Sequence, residues 1–390
     1  MNSNDNSPPA AAKGFGGKLS ATLKMVKIAH TVFAMPFALV GWAFAWVCVR
    51  EAEEMRPEWH SLASDALPQI AKDAGFAGMP WLWTLIWVIV AMVGARSFAM
   101  AFNRIVDRKI DAENPRTAKR EIPAGVLSLR FAWGFTLGSA ALFCLACLML
   151  NPRTLMLAPV ALLVVGGYSL TKRFTALCHV VLGAGLALAP IGAWLAVMGG
   201  AVDAAIGLPF APFGLELFGT LPEGAVLNSV TTTPGAVAFH TLPVLLGLGV
   251  VLWVAGFDII YSLQDEGFDR ERKLHSIPAL LGKAKALMVS RVFHLLAWCS
   301  WLGAIVLMRS GGPALYLHAL VGGNVPEGYT PQHSLGFLSF VGLALVGACL
   351  VFEHALVKPN NLKHVNAAFF TLNGVIGLAF GALIIMDLWV

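Results

Sequence analysis

Nine apolar stretches of about 20 residues recur along this chain, each long enough to cross a hydrocarbon core as a helix. That recurrence excludes most folds. Of 390 residues, 57% are hydrophobic and 13% charged, against about 25% charged in a soluble domain. Transmembrane β-strands would alternate apolar and polar residues over about 10 positions, and no such alternation occurs. The expected fold is therefore an all-α polytopic membrane protein. Its spans are placed near Ile28–Val49, Trp81–Phe102, Leu129–Leu150, Thr154–Leu170, Ala176–Met198, Ala236–Phe257, Ala286–Met308, Leu335–Val357 and Val365–Leu388. The segment 1–27 is read as cytoplasmic and partly disordered, being polar and Pro/Ala-rich through Ala12. Its lysines resemble the start of a signal peptide, but the first span is long and lacks a cleavage site, so it is read as retained. Residues 28–390 form one nine-helix domain with long outer loops near 50–80, 199–235 and 309–334, which are expected to fold back as short caps.

Basic residues check this count independently, because Lys and Arg collect on the cytoplasmic side. They cluster before the first span, between the second and third (Arg104, Arg108, Lys109, Arg116, Lys119, Arg120), and between the sixth and seventh (Arg270, Arg272, Lys273, Lys283, Lys285). Lys172 and Arg173 fall on the same side, whereas the loop after the fifth span has no Lys or Arg. The reading is an integral protein of a bacterial inner membrane, N-terminus in the cytoplasm and C-terminus outside. All six cysteines lie in apolar runs, where they read as small packing residues, including Cys144 and Cys147.

Two acidic clusters interrupt the apolar pattern. In the first, Asn103, Asp107 and Asp111 share one helix face; in the second, Asp258, Tyr261, Asp265 and Asp269 do so. A stripe of carboxylates beside membrane spans repels itself and is costly to desolvate unless a cation neutralises it. Each cluster follows a span and is itself followed by a basic stretch and an Ile-Pro pair (Ile122-Pro123, Ile277-Pro278), a weak repeat that suggests duplicated helical halves meeting at one site. Mg²⁺ takes oxygen ligands and binds through one or two carboxylates plus substrate phosphates, so the stripes suit a Mg²⁺-diphosphate site with Asn103, Asp107, Asp111, Asp265 and Asp269 as candidate ligands. Arg104, Arg116, Lys119, Arg120, Lys172, Arg173, Arg270 and Lys273 are placed to clamp phosphate oxygens. A surface site opening to an apolar interior fits an amphiphile with a diphosphate head, whose allylic C–O bond can ionise.

With these residues the chain resembles the UbiA superfamily of intramembrane prenyltransferases. Asp258, Tyr261, Asp265 and Asp269 match the family's second motif, Asp-x-x-Tyr-x-x-x-Asp-x-x-x-Asp. Asn103, Asp107 and Asp111 match its first, Asn-Asp-x-x-Asp-x-x-x-Asp, with Arg104 at the usual first Asp. Tyr168 to Thr175, containing Lys172-Arg173, and Arg116-Thr-Ala-Lys119-Arg120 resemble two further segments, Glu121 standing where Pro is usual. The resemblance implies Mg²⁺-dependent transfer of a polyprenyl chain to an aromatic ring. The acceptor is a 4-hydroxybenzoate-like acid of quinone biosynthesis or a hydroxy-naphthoate of a menaquinone route. It assigns Lys172 and Arg173 to diphosphate departure and Asp258 to loss of the proton. Arg96, inside the second span, is read as an anchor for an aromatic carboxylate or as a structural partner of an Asp, and Tyr261 as lying near the substrate. The expected partners are the polyprenyl diphosphate, the acceptor and the bilayer, with no nucleic acid and no obligate protein partner. The alternative of another class is an ion-coupled transporter, but its carboxylates would lie near the midplane rather than at helix ends. Gly134-x-x-x-Gly138 and Gly377-x-x-x-Gly381 suggest close helix contacts, and His30, His179, His240 and His294 read as packing or interfacial residues.

Overall fold

The computed structural model describes residues 14–26, 34–55, 62–65, 67–205, 234–311 and 335–389. The expectations for Ala12, His30 and the middles of the second and third outer loops concern residues outside them. Ten helices of thirteen residues or more are labelled in chain order: α1 Gly14–Val26, α2 Met35–Met55, α3 Pro80–Val106, α4 Leu129–Leu150, α5 Pro152–Thr171, α6 Cys178–Ala205, α7 Pro234–Ser262, α8 Lys283–Arg309, α9 Phe337–Leu356 and α10 Asn373–Asp387. Among the described residues nine helices are long and apolar enough to cross a membrane, in the order anticipated from the apolar runs.

Local chemistry sets the helix ends. Prolines open α3 and α5, where the missing amide hydrogen is no loss. Ser128 caps α4 by accepting from the Phe131 amide at 3.3 Å. Asn151 caps α5 in a reciprocal arrangement with Thr154, and its amide also donates to the Leu195 and Ala196 carbonyls of α6, both at 3.0 Å. One side chain thus ends a hairpin and pins it to a third helix. Asp387, at the end of α10, accepts from the Gly336, Leu338 and Ser339 amides and so neutralises the start of α9.

Gly14–Val26, beyond the stretch through Ala12 read as disordered, is helical, with Ala21 and Met25 buried against Ala101 and Leu127. The first span is described over Met35–Met55, with Pro36 in its first turn and Arg50 and Glu54 paired one turn apart near its end; the start placed at Ile28 lies outside the described residues. The close contact expected of Gly134-x-x-x-Gly138 needs correction: a Cβ at Gly134 or Gly138 would meet no atom of another element within 4 Å among the described residues, while a Cβ at Gly381 would come within 2.7 Å of Pro36. The first outer loop does form short caps, Leu62–Asp65 and Gln69–Asp73, followed by a 3₁₀ turn Phe76–Gly78.

The core lies between α2, α6, α7, α8, α9 and α10, around Phe37, Trp253, Trp301 and Phe380, with Phe37 stacked on Trp301 at 5.0 Å. Leu163, Phe337 and Val351 point outward and exposed, as a surface bathed in lipid requires. Among the described residues helices touch backbone to backbone at glycines: a Cβ on Gly41 would overlap the Pro190 carbonyl, one on Gly183 the Val251 carbonyl, and one on Gly94 would come within 2.9 Å of the Phe143 amide nitrogen. Behind the aromatic core is a buried polar cluster. Asn373 accepts from Trp253 Nε1 (2.8 Å) and donates to Glu353 (3.2 Å), and His294 faces His354 at 3.0 Å. His294 is buried and bonded within the bundle, in keeping with a packing role.

Candidate active site

The acidic clusters fall where two spans end. α3 stops at Val106, Asp107 is the junction residue, and a short helix Arg108–Glu113 follows. α7 stops at Ser262 and passes through a 3₁₀ turn Leu263–Asp265 into a short helix Glu266–Glu271. The stripes are therefore not continuous helix faces. The break is small at the first, because the Asp107 amide still donates to Asn103 (2.9 Å) and the Asp111 amide to Asp107 (2.8 Å). Most of the anticipated spacing survives.

A basic partner of the protein faces each of the five site carboxylates. Arg116 grips Asp265 with both edges of its guanidinium, Nε to Oδ1 at 3.0 Å and Nη2 to Oδ2 at 2.6 Å, and donates to Tyr261 Oη at 3.0 Å. Arg120 bridges both oxygens of Asp111 at 2.6 and 2.7 Å. Arg173 meets Asp107 at 2.9 Å, whose other oxygen accepts from Asn103 at 2.9 Å. Lys172 lies 2.8 Å from Asp269, and Ser276 donates to the same carboxylate at 2.8 Å. His179 meets Asp258 at 2.6 Å. Three of these pairs, Arg116–Asp265, Lys172–Asp269 and His179–Asp258, join the first half of the chain to the second, and Arg272–Glu113 (2.8 Å) adds a fourth link.

Burial and charge compete in this site. Burial alone would lower the Lys172 and Arg116 pKa values, but Asp269 and Asp265 respectively outweigh it and hold both cations above their ordinary values. Burial pushes the Asp107 carboxyl up, against the opposing pull of Arg173. Asp269 is fully buried, so its partner has structural weight. Lys172→Met is expected to destabilise the protein by about 1–3 kcal/mol, discounted because Lys172 is partly exposed, while Lys172→Arg recovers most of the loss; apparent Tm in detergent measures both.

Other anticipated residues stand apart. Lys119 and Lys273 are exposed, and Arg270 turns away to Glu266 (3.0 Å) and the Ala279 carbonyl (3.0 Å). Arg96 lies in α3, its Nε buried without a hydrogen-bond partner, and no carboxylate among the described residues pairs with it. Arg104 is 6% exposed and sits among Arg120, Asp111 and Tyr168. Tyr261 packs against Phe369, centroids 4.3 Å apart, beneath the Arg116 guanidinium. Sequence reasoning missed Ser276 and the contact of His179 with Asp258; the only hint of Ser276 was its place as the polar residue before the repeated Ile-Pro.

An all-helical integral membrane bundle with paired acidic clusters at one set of helix ends defines the class. The chain belongs to the UbiA prenyltransferase family, whose model matches residues 74–329, and it is a prenyltransferase. It is 25% identical to the 4-hydroxybenzoate octaprenyltransferase of Citrobacter koseri over 282 residues, 69% of this chain and 84% of that one. The enzyme of the same name from Salmonella paratyphi B is 24% identical over the same length. Among solved structures, the apo UbiA homologue of Aeropyrum pernix K1 is 28% identical, with a TM-score of 0.62 over 92% of this chain and 98% of that chain. A UbiA homologue of Archaeoglobus fulgidus, solved with GPP and Mg²⁺, shares the fold at 14% identity and a TM-score of 0.55, over 95% of this chain and 100% of that one.

Proposed function

We propose that this enzyme transfers a polyprenyl chain from a polyprenyl diphosphate to a 4-hydroxybenzoate-like acid in ubiquinone biosynthesis, on the cytoplasmic face of a bacterial inner membrane. The observation that carries the reading is the set of paired carboxylates and cations drawn from both halves of the chain. Membership of a prenyltransferase family retires the transporter alternative.

The donor set suits Mg²⁺. Asn103, Asp107, Asp111, Asp265 and Asp269 offer only hard oxygen ligands. Among the described residues no three acidic, His or Cys side chains converge on one point, and Mg²⁺ asks for none, since phosphates and water complete its shell. When bound through these residues, Mg²⁺ would neutralise charge on the leaving diphosphate. Arg116, Arg120, Lys172 and Arg173 would bind phosphate oxygens, for which their guanidinium forks and ammonium are suited. The allylic C–O bond breaks with its electron pair leaving on the diphosphate, and the prenyl carbon joins a ring carbon beside the acceptor hydroxyl. Arg96, a buried cation without a carboxylate partner, would hold the acceptor's carboxylate, Tyr261 would flank the reacting ends, and Asp258 would take the ring proton.

The test uses the full chain in detergent with geranyl diphosphate, MgCl₂ and either 4-hydroxybenzoate or 1,4-dihydroxy-2-naphthoate. Prenylated 4-hydroxybenzoate should form, disappear with EDTA, and fall about 10²- to 10³-fold in Asp107→Asn. Product with the naphthoate alone overturns the acceptor assignment; product with neither overturns transfer to aromatic acids.

A further inference from the structure

We infer that His179 is a positioning residue for Asp258, clamping one carboxylate oxygen through its Nδ1–H and leaving the other to take the acceptor's ring proton. The inference rests on the function proposed above and deepens it.

Of the five site carboxylates, four face Arg or Lys, whereas Asp258 faces an imidazole. In those four both oxygens are taken: Arg116 and Arg120 each span the two oxygens of Asp265 and Asp111, Arg173 and Asn103 share Asp107, and Lys172 and Ser276 share Asp269. A neighbouring Arg or Lys also strongly favours the ionised form, which makes a poor base. A single imidazole N–H occupies one oxygen and fixes the carboxylate's direction. Both ring nitrogens of His179 are engaged. Nδ1 meets Asp258 Oδ2 at 2.6 Å, and the Ile277 amide donates to Nε2 at 3.4 Å. Because Nε2 accepts, the ring proton lies on Nδ1, directed at Asp258. The ring is 2% exposed, while the Asp258 side chain is 23% exposed, so the imidazole sits behind the carboxylate and the open side belongs to Asp258.

The mount of that imidazole is tied to the diphosphate-facing residues. Ile277 opens a short helix capped by Ser276, the residue that donates to Asp269, and the His275 amide donates to the Lys172 carbonyl at 2.7 Å. On α6, Gly183 lies one turn beyond His179 on the same face and admits the Val251 carbonyl of α7. Val251 is two turns before Asp258, so this backbone approach brings imidazole and carboxylate within reach.

The chemistry balances. After the prenyl carbon has bonded to the ring, the C–H electron pair at that carbon restores aromaticity and the proton passes to the free oxygen of Asp258. His179 retains its own proton throughout.

The test follows turnover of geranyl diphosphate with 4-hydroxybenzoate, ordinary and deuterated at the ring positions flanking the hydroxyl. His179→Leu should lower turnover about 10- to 100-fold, with KM for geranyl diphosphate little changed. It should also raise the deuterium isotope effect above the wild-type value, because proton loss becomes slower. His179→Asn, whose amide nitrogen occupies the place of Nδ1, should restore turnover and lower the isotope effect. Should the Leu variant not fold, His179→Asn against His179→Gln carries the same comparison, since Gln places its donor one bond further out. An unchanged isotope effect in His179→Leu, or in His179→Gln where that comparison is used, overturns the inference, as does wild-type turnover in Asp258→Asn. If wild-type enzyme prenylates no aromatic acid, the proposed function itself falls.

Discussion

Asp265→Ala is expected to cut prenyl transfer by about 10²- to 10³-fold, measured as kcat/KM for geranyl diphosphate in detergent. Asp265 holds the Arg116 fork, and Arg116 in turn holds Tyr261, so one substitution disturbs a proposed ligand, a proposed phosphate donor and a phenol together. Arg116→Lys tests which of these matters. A lysine keeps the charge but cannot span two carboxylate oxygens and a phenol at once. If the pair acts as a unit, Asp265→Ala in the Arg116→Lys background should cost far less than Asp265→Ala alone. Full additivity would mean that Asp265 and Arg116 serve separate ends, and wild-type activity in Asp265→Ala would remove Asp265 from the site.

Gly183→Val is expected to cost about 3 kcal/mol or more, because a branched side chain must enter space held by the Val251 backbone carbonyl, which cannot move without shifting α7. A change of that size should appear as a large fall in apparent Tm and in the yield of folded protein. Gly134→Val is the control: nothing lies within 4 Å of a Cβ there, so the change should stay within about 0.5 kcal/mol. Equal losses at both positions would mean that helix propensity, not the α6–α7 approach, governs the outcome.

These two glycines also show where sequence reasoning stops. The repeat Gly134-x-x-x-Gly138 carries the full two-glycine spacing yet faces no helix among the described residues, while Gly183, whose spacing partner is Ala187, meets one backbone to backbone. Spacing marks a smooth face; only the packed fold says whether protein or lipid covers it. The spans were legible because about 20 apolar residues in a row have one use, and the carboxylates because two same-face stripes stood out against apolar flanks. Their partners were not. Arg116 and Asp265 are 149 positions apart, and nothing local couples them. Arg270 illustrates the reverse failure: its nearness in sequence to Asp269 suggested the site, but Glu266, one helical turn away, captures it. The packing reading of His179 passed over its contact with Asp258, because the pairing exists only once α6 and α7 lie side by side.

The last span, Val365–Asp387, carries a π-helical turn over Ala368–Leu372. A π turn holds one residue more than an α turn, so it acts as a phase shifter between the two ends of the helix. Within the turn, Phe369 and Phe370 both reach Tyr261, with centroids 4.3 and 6.2 Å away; immediately after it, Asn373 reaches Trp253 and Glu353. Deleting any one residue of this turn would restore regular winding and rotate one set of contacts by about 100° relative to the other. The phenol at the site and the amide in the core could not then both be met by the same helix. The last span is thereby indexed to the chemistry, one residue of slack setting its angle.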